Sequence, residues 1–380
     1  MRPSKALYLL AANSLCISTA VALDRTRSQF KHWFPTIEQF AKHRFEDACP
    51  EQYANYFNES LPDENGAHVH SQALMNCILE EYGELNMAGM AVTAILLALL
   101  PSGLVQFGPS MAEISILSTR RPVLATLLGF GLMSPNPTEF EYEEILEKAS
   151  NGGAPLIPIR ALDGRYFIAK VLISLVEYII AMTAAGNLFY QVYRFTYQSI
   201  SLAPLMVYLY GLPEAATLFG WASLNLPLYL LSFGVFALAF RRVRPKSGYS
   251  RGGNRLMQLI TTELTPCGQG RDLKIERRPN RQFLQQFLGM AVRLFSGLHI
   301  IVGTVLIGSI VLIPIADSLP LIYSFVFAAI FTRAVLSFEL NGLARKTTIV
   351  STGTAGQIDN QVYETHALEP KRYNSLGQSD

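Results

Sequence analysis

The sequence predicts an all-α, polytopic membrane protein with about five transmembrane helices and a small, disulfide-linked N-terminal segment. Three observations support this fold class. Apolar residues cluster in runs that approach or exceed the roughly 20 residues needed to cross a bilayer. Of the 380 residues, 50% are hydrophobic and only 16% are charged, which is unusual for a soluble domain. Basic residues concentrate in one polar loop between the runs, whereas two cysteines lie in the polar segment before them.

Residues 1–22 have the features of a secretory signal peptide. Arg2 and Lys5 precede a short apolar stretch, and Ala20-Val21-Ala22 provides a small-x-small cleavage site. We expect cleavage, and the alternative is an uncleaved signal anchor. In both cases the chain enters the secretory pathway, so segment 23–84 is predicted to be lumenal or extracellular.

Cys49 and Cys77 lie in this polar segment and are predicted to form a disulfide. The bond would close a loop of roughly 28 residues and stabilise the segment by about 3 kcal/mol in the chain-entropy model. Asn58 begins an Asn-Glu-Ser sequon between the two cysteines, so we predict that it is glycosylated. Both modifications are typical of a segment outside the cytosol.

Five apolar runs are predicted as transmembrane helices, here called spans 1 to 5, at residues 85–107, 166–189, 221–240, 284–314 and 319–340. The connections are predicted as a cytosolic loop with an amphipathic or re-entrant piece at 108–165, a lumenal aromatic loop at 190–220, a basic cytosolic loop at 241–283 and a disordered cytosolic tail at 341–380. The run Val123 to Met133 is only about half a span long, which favours an interfacial or re-entrant segment.

The orientation is predicted from the loop between spans 3 and 4. This loop contains eleven basic and three acidic residues, and such an excess of positive charge is typical of a cytosolic loop. The N-terminus is then lumenal or extracellular and the C-terminus cytosolic. The membrane would be that of the endoplasmic reticulum, the vacuole or the plasma membrane.

The basic loop is also a candidate site for anionic lipid headgroups, because each Lys or Arg near such a surface adds about 1 kcal/mol of attraction. The alternative is that these charges only fix the topology. The candidate residues are Arg241, Arg242, Arg244, Lys246, Arg277 and Arg278.

Glu177 is the most unusual residue within the predicted spans, because it lies near the middle of span 2, where a carboxylate costs about 2.5–3.5 kcal/mol on insertion scales. Its stripe of the helix carries Ser174 and Ala181 and should therefore face other helices. Glu177 is either an ion or proton site or a carboxyl group that holds the bundle together. Arg293 and Arg333 are candidate partners, although arginines near helix ends also reach the interface without a partner. The sequence offers no second intramembrane acid for a relay.

Catalytic and nucleotide-binding motifs are absent from the sequence: it has no Walker-type loop, no His-Glu-x-x-His and no Gly-x-Ser-x-Gly. We therefore expect no enzyme activity, cofactor, metal site or nucleic-acid partner. The favoured function is a non-enzymatic scaffold, sensor or accessory subunit with an unidentified protein partner. The alternative is a transporter or channel subunit that uses Glu177.

The stretch from Met75 to Phe140 resembles a group of uncharacterised integral membrane proteins of filamentous fungi. The resemblance is carried by Met75-Asn76-Cys77, the run from Leu96 to Pro101, Gly108-Pro109-Ser110 and Arg120-Arg121-Pro122. It covers less than a fifth of the chain. It implies a fungal source and a membrane location, and it implies no activity.

Overall fold

The computed structural model describes residues 29–58, 69–137, 140–151, 167–203, 216–242, 255–270, 272–278 and 281–350. The predicted signal peptide lies outside the described residues. The helices are α1 Pro35–Ala48, α2 Pro50–Phe57, α3 Val69–Tyr82, α4 Glu84–Phe107, α5 Met111–Ser118, α6 Pro122–Phe130, α7 Tyr142–Asn151, α8 Phe167–Tyr197, α9 Ala216–Ser223, α10 Asn225–Ala239, α11 Arg255–Glu263, α12 Gln282–Gly308 and α13 Ile315–Arg345. The strands are β1 Ile200–Ser201, β2 Phe240–Arg242, β3 Leu273–Arg277, β4 Ile310–Val311 and β5 Thr347–Val350.

Five helices of the described chain are long and apolar enough to cross a membrane, which confirms the predicted fold class. They are Glu84–Phe107, Ala169–Tyr197, Ala216–Ala239, Gln282–Gly308 and Ile315–Arg345. Span 2 continues eight residues beyond its predicted end, so the start of the predicted aromatic loop is helical. Residues 190–197 contain no Gly or Pro that would break the helix.

The N-terminal segment is a three-helix unit, α1 to α3, which packs on one end of the spans. This end is called the head face. Its aromatic core includes Phe45 and Tyr56 and is continuous with Leu312, between spans 4 and 5. The Thr36 amide donates to Asp317 Oδ2 at 3.2 Å, and Arg194 lies 4.6 Å from the centre of the Phe34 ring. The segment is therefore built into the bundle rather than attached by a single helix.

The opposite end of the spans, called the loop face, carries a three-stranded sheet in the order β2-β3-β5. Strands β2 and β3 are antiparallel, whereas β3 and β5 are parallel, with Leu273 opposite Thr347. The prediction of disorder from residue 341 is wrong for 341–350, because α13 extends to Arg345 and β5 follows. Three β-branched residues, Thr347, Thr348 and Ile349, favour the strand, and the edge of β3 pairs with it. Residues 351–380 lie outside the described chain.

The predicted re-entrant piece is a helical hairpin, α5 and α6, which packs among spans 2, 3 and 5. Span 1 ends at Phe107, next to Gly108 and Pro109, and α5 begins with a capping box between Ser110 and Glu113. The turn at Arg120 and Arg121 lies towards the loop face, and α6 then returns to the interior with Leu124, Ala125 and Leu128 buried. This burial places α6 inside the bundle rather than on its surface.

Candidate functional site

Arg121, at the turn of the α5–α6 hairpin, is the largest fully buried side chain of the described residues. It forms ion pairs with Glu177 of span 2 and with Glu339 of span 5. Both carboxyl side chains are almost completely inaccessible to solvent, at 5% and 0%. We call these three residues the ion triad. It joins the hairpin to two spans that are far apart in sequence.

The geometry of the triad is close. Arg121 Nη1 lies 3.1 Å from Glu339 Oε1 and also contacts Glu177 Oε2. Arg121 Nη2 donates to Ser174 Oγ at 2.5 Å. The two carboxyl groups thus contact the same guanidinium nitrogen. Two carboxylates beside one guanidinium leave one negative charge in excess, which a single bound proton neutralises.

The loop between spans 3 and 4 closes over the triad through backbone and side-chain hydrogen bonds. Ser174 Oγ donates to the Glu263 carbonyl at 3.0 Å, and Tyr178 Oη donates to Glu263 Oε2 at 2.5 Å. The Cys267 amide donates to Glu339 Oε2 at 3.0 Å, and Arg120 Nη1 donates to the Cys267 carbonyl at 3.0 Å. The triad is therefore sealed on the side of the loop face by α11 and the turn that follows it.

The position of Glu177 differs from the sequence prediction. It lies eight residues after Ala169, which is about 12 Å along the helix axis at 1.5 Å per residue. Glu177 is therefore in the first third of span 2, towards the loop face, rather than at its middle. Its stripe is buried as predicted, including Ser174, Ala181 and Ala185.

The partners of Glu177 were not found from the sequence. The expectation that no second acid is available is wrong, because Glu339, which already lies within the predicted bounds of span 5, is fully buried beside Arg121. The sequence predicts Arg121 in a cytosolic loop. One signal of its burial is its position next to the short apolar run from Val123 to Met133, since a charge carried into a bundle needs a partner.

Arg293 and Arg333, the predicted candidates, have other contacts. Arg333 forms an ion pair with Glu113 of α5, and their side chains are 43% and 15% exposed. Arg293 lies 5.8 Å from the centre of the Phe140 ring, a cation–π distance. The structure thus brings neither arginine to Glu177.

The candidate lipid residues fall on the loop-face sheet where they are described. Arg241 and Arg242 are exposed on β2, opposite Glu276 and Ile275. Arg277 Nη1 lies 3.5 Å from Glu143 Oε1 beside a cleft of about 300 Å³. The Arg278 amide donates to the Ala239 carbonyl at 2.9 Å. Arg244 and Lys246 lie outside the described residues.

The predicted disulfide between Cys49 and Cys77 is present, with a Cα–Cα distance of 6.2 Å. It links the end of α1 to α3 across 28 residues. Asn58 follows α2 in an exposed position, and the rest of its sequon lies outside the described chain. Within the described ranges, His, Cys, Asp and Glu residues form no group of three or more that could hold a metal ion.

Comparisons with known proteins identify no relative: no protein-family model, no curated protein and no solved structure matches the chain. The resemblance to fungal membrane proteins therefore stays an expectation.

Proposed function

We propose that the protein is a non-enzymatic membrane component, a scaffold, sensor or accessory subunit that acts through a protein partner bound within the membrane. We further propose that it resides in a membrane of the secretory pathway, with the head face lumenal or extracellular and the loop face cytosolic. The bias of basic residues and the disulfide on the opposite face support this orientation.

The ion pair between Arg333 and Glu113 carries the proposal for a membrane partner. Glu113 lies two residues after Met111. The Met111 sulfur accepts a hydrogen bond from Ser296, which is at the middle of span 4. The pair therefore lies deep in the membrane-spanning region, yet the Arg333 side chain is 43% exposed. Charged groups at this depth normally face the protein interior or a water-filled cavity, because lipid solvates them poorly. A partner helix that covers Arg333 would meet this need.

The sealed ion triad supports a structural rather than a transporting role for Glu177. A transport site must open to at least one side, whereas Arg121 and Glu339 have no accessible side-chain surface in this state. Separating the members of a buried ion cluster would strand a charge away from water, so the cluster resists movement of the elements that carry it. The triad is suited to fix the hairpin against spans 2 and 5.

Site-specific photocrosslinking tests the partner. A photoreactive amino acid at Ile330, which is exposed one turn from Arg333, should give one discrete protein adduct in native membranes. The matched control is Ile301, an exposed residue of span 4 on another part of the surface, which should react with lipid only. Arg333→Ala should abolish the adduct from position 330 while the protein stays folded. Equal adducts from both positions, or lipid adducts from both, would contradict the proposal.

The alternative function, a transporter or channel subunit, is favoured by one observation: two buried acids, Glu177 and Glu339, face one buried cation, Arg121, and an acid in excess of its cation is a site where a proton can bind. In liposomes, such a protein would show a pH-dependent ion or proton flux. Glu177→Gln and Glu339→Gln would each remove the flux and leave folding intact. We expect no flux from the wild-type protein in this assay.

The orientation is tested by reporter tags on the full chain. Tags after Asp380 and near Gly252 should both be detected in the cytosol, and a tag near Asn65 should be detected in the lumen. Any other pattern contradicts the proposed topology.

A further inference from the structure

Helix α11 carries an apolar face that the rest of the described chain leaves uncovered. Met257 and Ile260 of α11 and Leu264, which directly follows the helix and whose amide donates to the Ile260 carbonyl, have the spacing i, i+3 and i+7, which places them on one side. Their exposed fractions are 63%, 41% and 38%. Thr262 lies roughly 160° from Leu264 around the helix, at 100° per residue, and is also exposed. We propose that α11 is an interfacial helix whose apolar face inserts into the lipid leaflet at the loop face and thereby keeps the ion triad sealed.

Lipid is the occupant indicated by the surroundings of α11. The helix ends against Tyr178 of span 2 and Val123 of α6, both near the loop-face end of the bundle. Val123 is itself exposed, and so are Leu172 and Leu175 on the adjoining surface of span 2. The apolar face of α11 therefore continues the lipid-facing surface of a membrane span. An amphipathic helix in this position lies in the plane of the interface, with its apolar side in the acyl-chain boundary.

Glu263 connects this helix to the triad. Its carboxylate accepts from the Val123 amide at 2.8 Å and from Tyr178 Oη at 2.5 Å. Its carbonyl accepts from Ser174 Oγ, the same atom that accepts from Arg121. One hydroxyl group thus separates α11 from the guanidinium of the triad. Movement of α11 away from the membrane would withdraw these bonds and open the triad to water.

The same movement would expose Cys267, which follows α11 after three residues. Cys267 is buried, and its amide donates to Glu339 of the triad. The reactivity of the Cys267 thiol is therefore a direct measure of whether the loop is closed. Measuring this reactivity requires no knowledge of what the protein does.

Spin labels test the position of α11 in the full-length protein, reconstituted in vesicles of phosphatidylcholine and phosphatidylserine. Labels on cysteines introduced by Met257→Cys and Ile260→Cys should collide with oxygen more than with a water-soluble nickel reagent. The control label, from Thr262→Cys, should show the opposite preference. Equal access of nickel to all three labels would overturn the proposal, and so would protection of the 257 and 260 labels from both reagents, because protein would then cover the face.

Alkylation of Cys267 tests the link to the triad. Ile260→Glu places a charge on the lipid side and should raise the rate of maleimide reaction by about tenfold or more, since a buried group reacts through its open form. Thr262→Glu adds the same charge on the polar side and should leave the rate unchanged. A thermal melt identifies a variant that has unfolded globally, and Ile260→Gln then replaces it. If the folded variants at position 260 react no faster than Thr262→Glu, the link is disproved.

Discussion

Arg121 Nη1 lies 3.1 Å from Glu339 Oε1, although 218 residues separate them in the sequence. The contact joins the turn of the α5–α6 hairpin to the last turns of span 5, and Glu177 of span 2 contacts the same guanidinium. One buried guanidinium therefore ties three elements together at a single point. The most informative substitutions are therefore those that change the charge balance of this contact.

Arg121→Met should strongly destabilise the protein. It leaves two buried carboxyl groups without their cation, and removing one member of a buried pair costs about 3–5 kcal/mol. The melting temperature in detergent should fall, and the yield of folded protein should fall with it. Size-exclusion chromatography of a fluorescent fusion after heating measures both. The exposed pair of Glu144 and Lys148 on α7 provides the control, because Lys148→Met removes a cation from a solvated ion pair and should change little.

Rescue distinguishes lost charge balance from lost packing. Adding Glu177→Gln and Glu339→Gln to Arg121→Met removes the charges that were left behind. A buried ion pair replaced by uncharged residues is often no less stable than the original. The triple variant should therefore melt above Arg121→Met, and a melting temperature at or below that of the single variant would show that the guanidinium acts by shape alone.

The two acids should compensate for each other. Either Glu177→Gln or Glu339→Gln leaves one carboxylate to balance Arg121, so each single change should be mild. The double change leaves the guanidinium buried without either acidic partner and should exceed the sum of the singles by about 0.5–3 kcal/mol, the usual coupling for residues in one network. Additive melting-temperature shifts in a double-mutant cycle would contradict the triad as a unit.

The sequence was sufficient to predict the spans because length and apolar composition alone determine whether a helix can cross a bilayer. The disulfide was predictable for a similar reason, since only two cysteines lay in the same polar segment. The triad was not predictable, because the burial of Arg121 depends on a hairpin that packs between spans distant in sequence. Charge in a short polar turn looks the same whether the turn is exposed or enclosed.

The contacts of α11 were not predictable for another reason. The sequence Arg255–Glu263 lies inside a strongly basic loop, and the charge of a loop predicts its orientation rather than its packing. Glu263 is one of three acids in that loop. Its contacts with Val123 and Tyr178 bring together α11, α6 and span 2, which are distant in sequence. No local sequence pattern predicts such contacts.

Loss of the Cys49–Cys77 disulfide should affect the head face first. The bond closes a 28-residue separation, and the chain-entropy model gives about 3 kcal/mol for such a loop. Cys49→Ser and Cys77→Ser should each reduce maturation beyond the endoplasmic reticulum, and the double variant should do no further harm. Mass mapping without reduction should recover the linked peptides from the wild-type protein.

The burial of Cys267 predicts that the stability of the folded protein depends on pH in the alkaline range. Burial, followed by the nearby Glu339 carboxylate, raises the pKa of the Cys267 thiol well above its usual range. Below about pH 8.5, the ordinary thiol pKa, both folded and unfolded chains keep the proton. Above it the unfolded chain loses the proton and the folded chain does not, so stability should decrease as the pH rises. Comparison of melting temperatures at neutral and alkaline pH, with Cys267→Ala as control, should show a smaller decrease in the variant.

The last prediction concerns the packing of Trp221 against span 4. Trp221 Nε1 donates to the His299 carbonyl at 3.0 Å, and His299 Nε2 lies 2.9 Å from the Trp221 carbonyl oxygen. The two rings are stacked, with centres 4.9 Å apart. One turn further along the helix is Gly303, where a Cβ atom would overlap the indole ring. Only a residue without a side chain lets Trp221 lie flat against this helix.

Gly303→Ala should therefore displace Trp221 and destabilise the protein by about 1–3 kcal/mol, the usual effect of forcing an extra carbon into a packed core. Gly297→Ala is the matched control, because a Cβ atom there meets nothing within 4 Å. That change should be neutral or slightly stabilising, since alanine favours a helix more than glycine does. Thermal melts in detergent measure both effects, and tryptophan emission in a Trp33→Phe background reports the environment of Trp221. Equal melting temperatures for the two variants would mean that the indole moves aside without cost and that the glycine has no packing role.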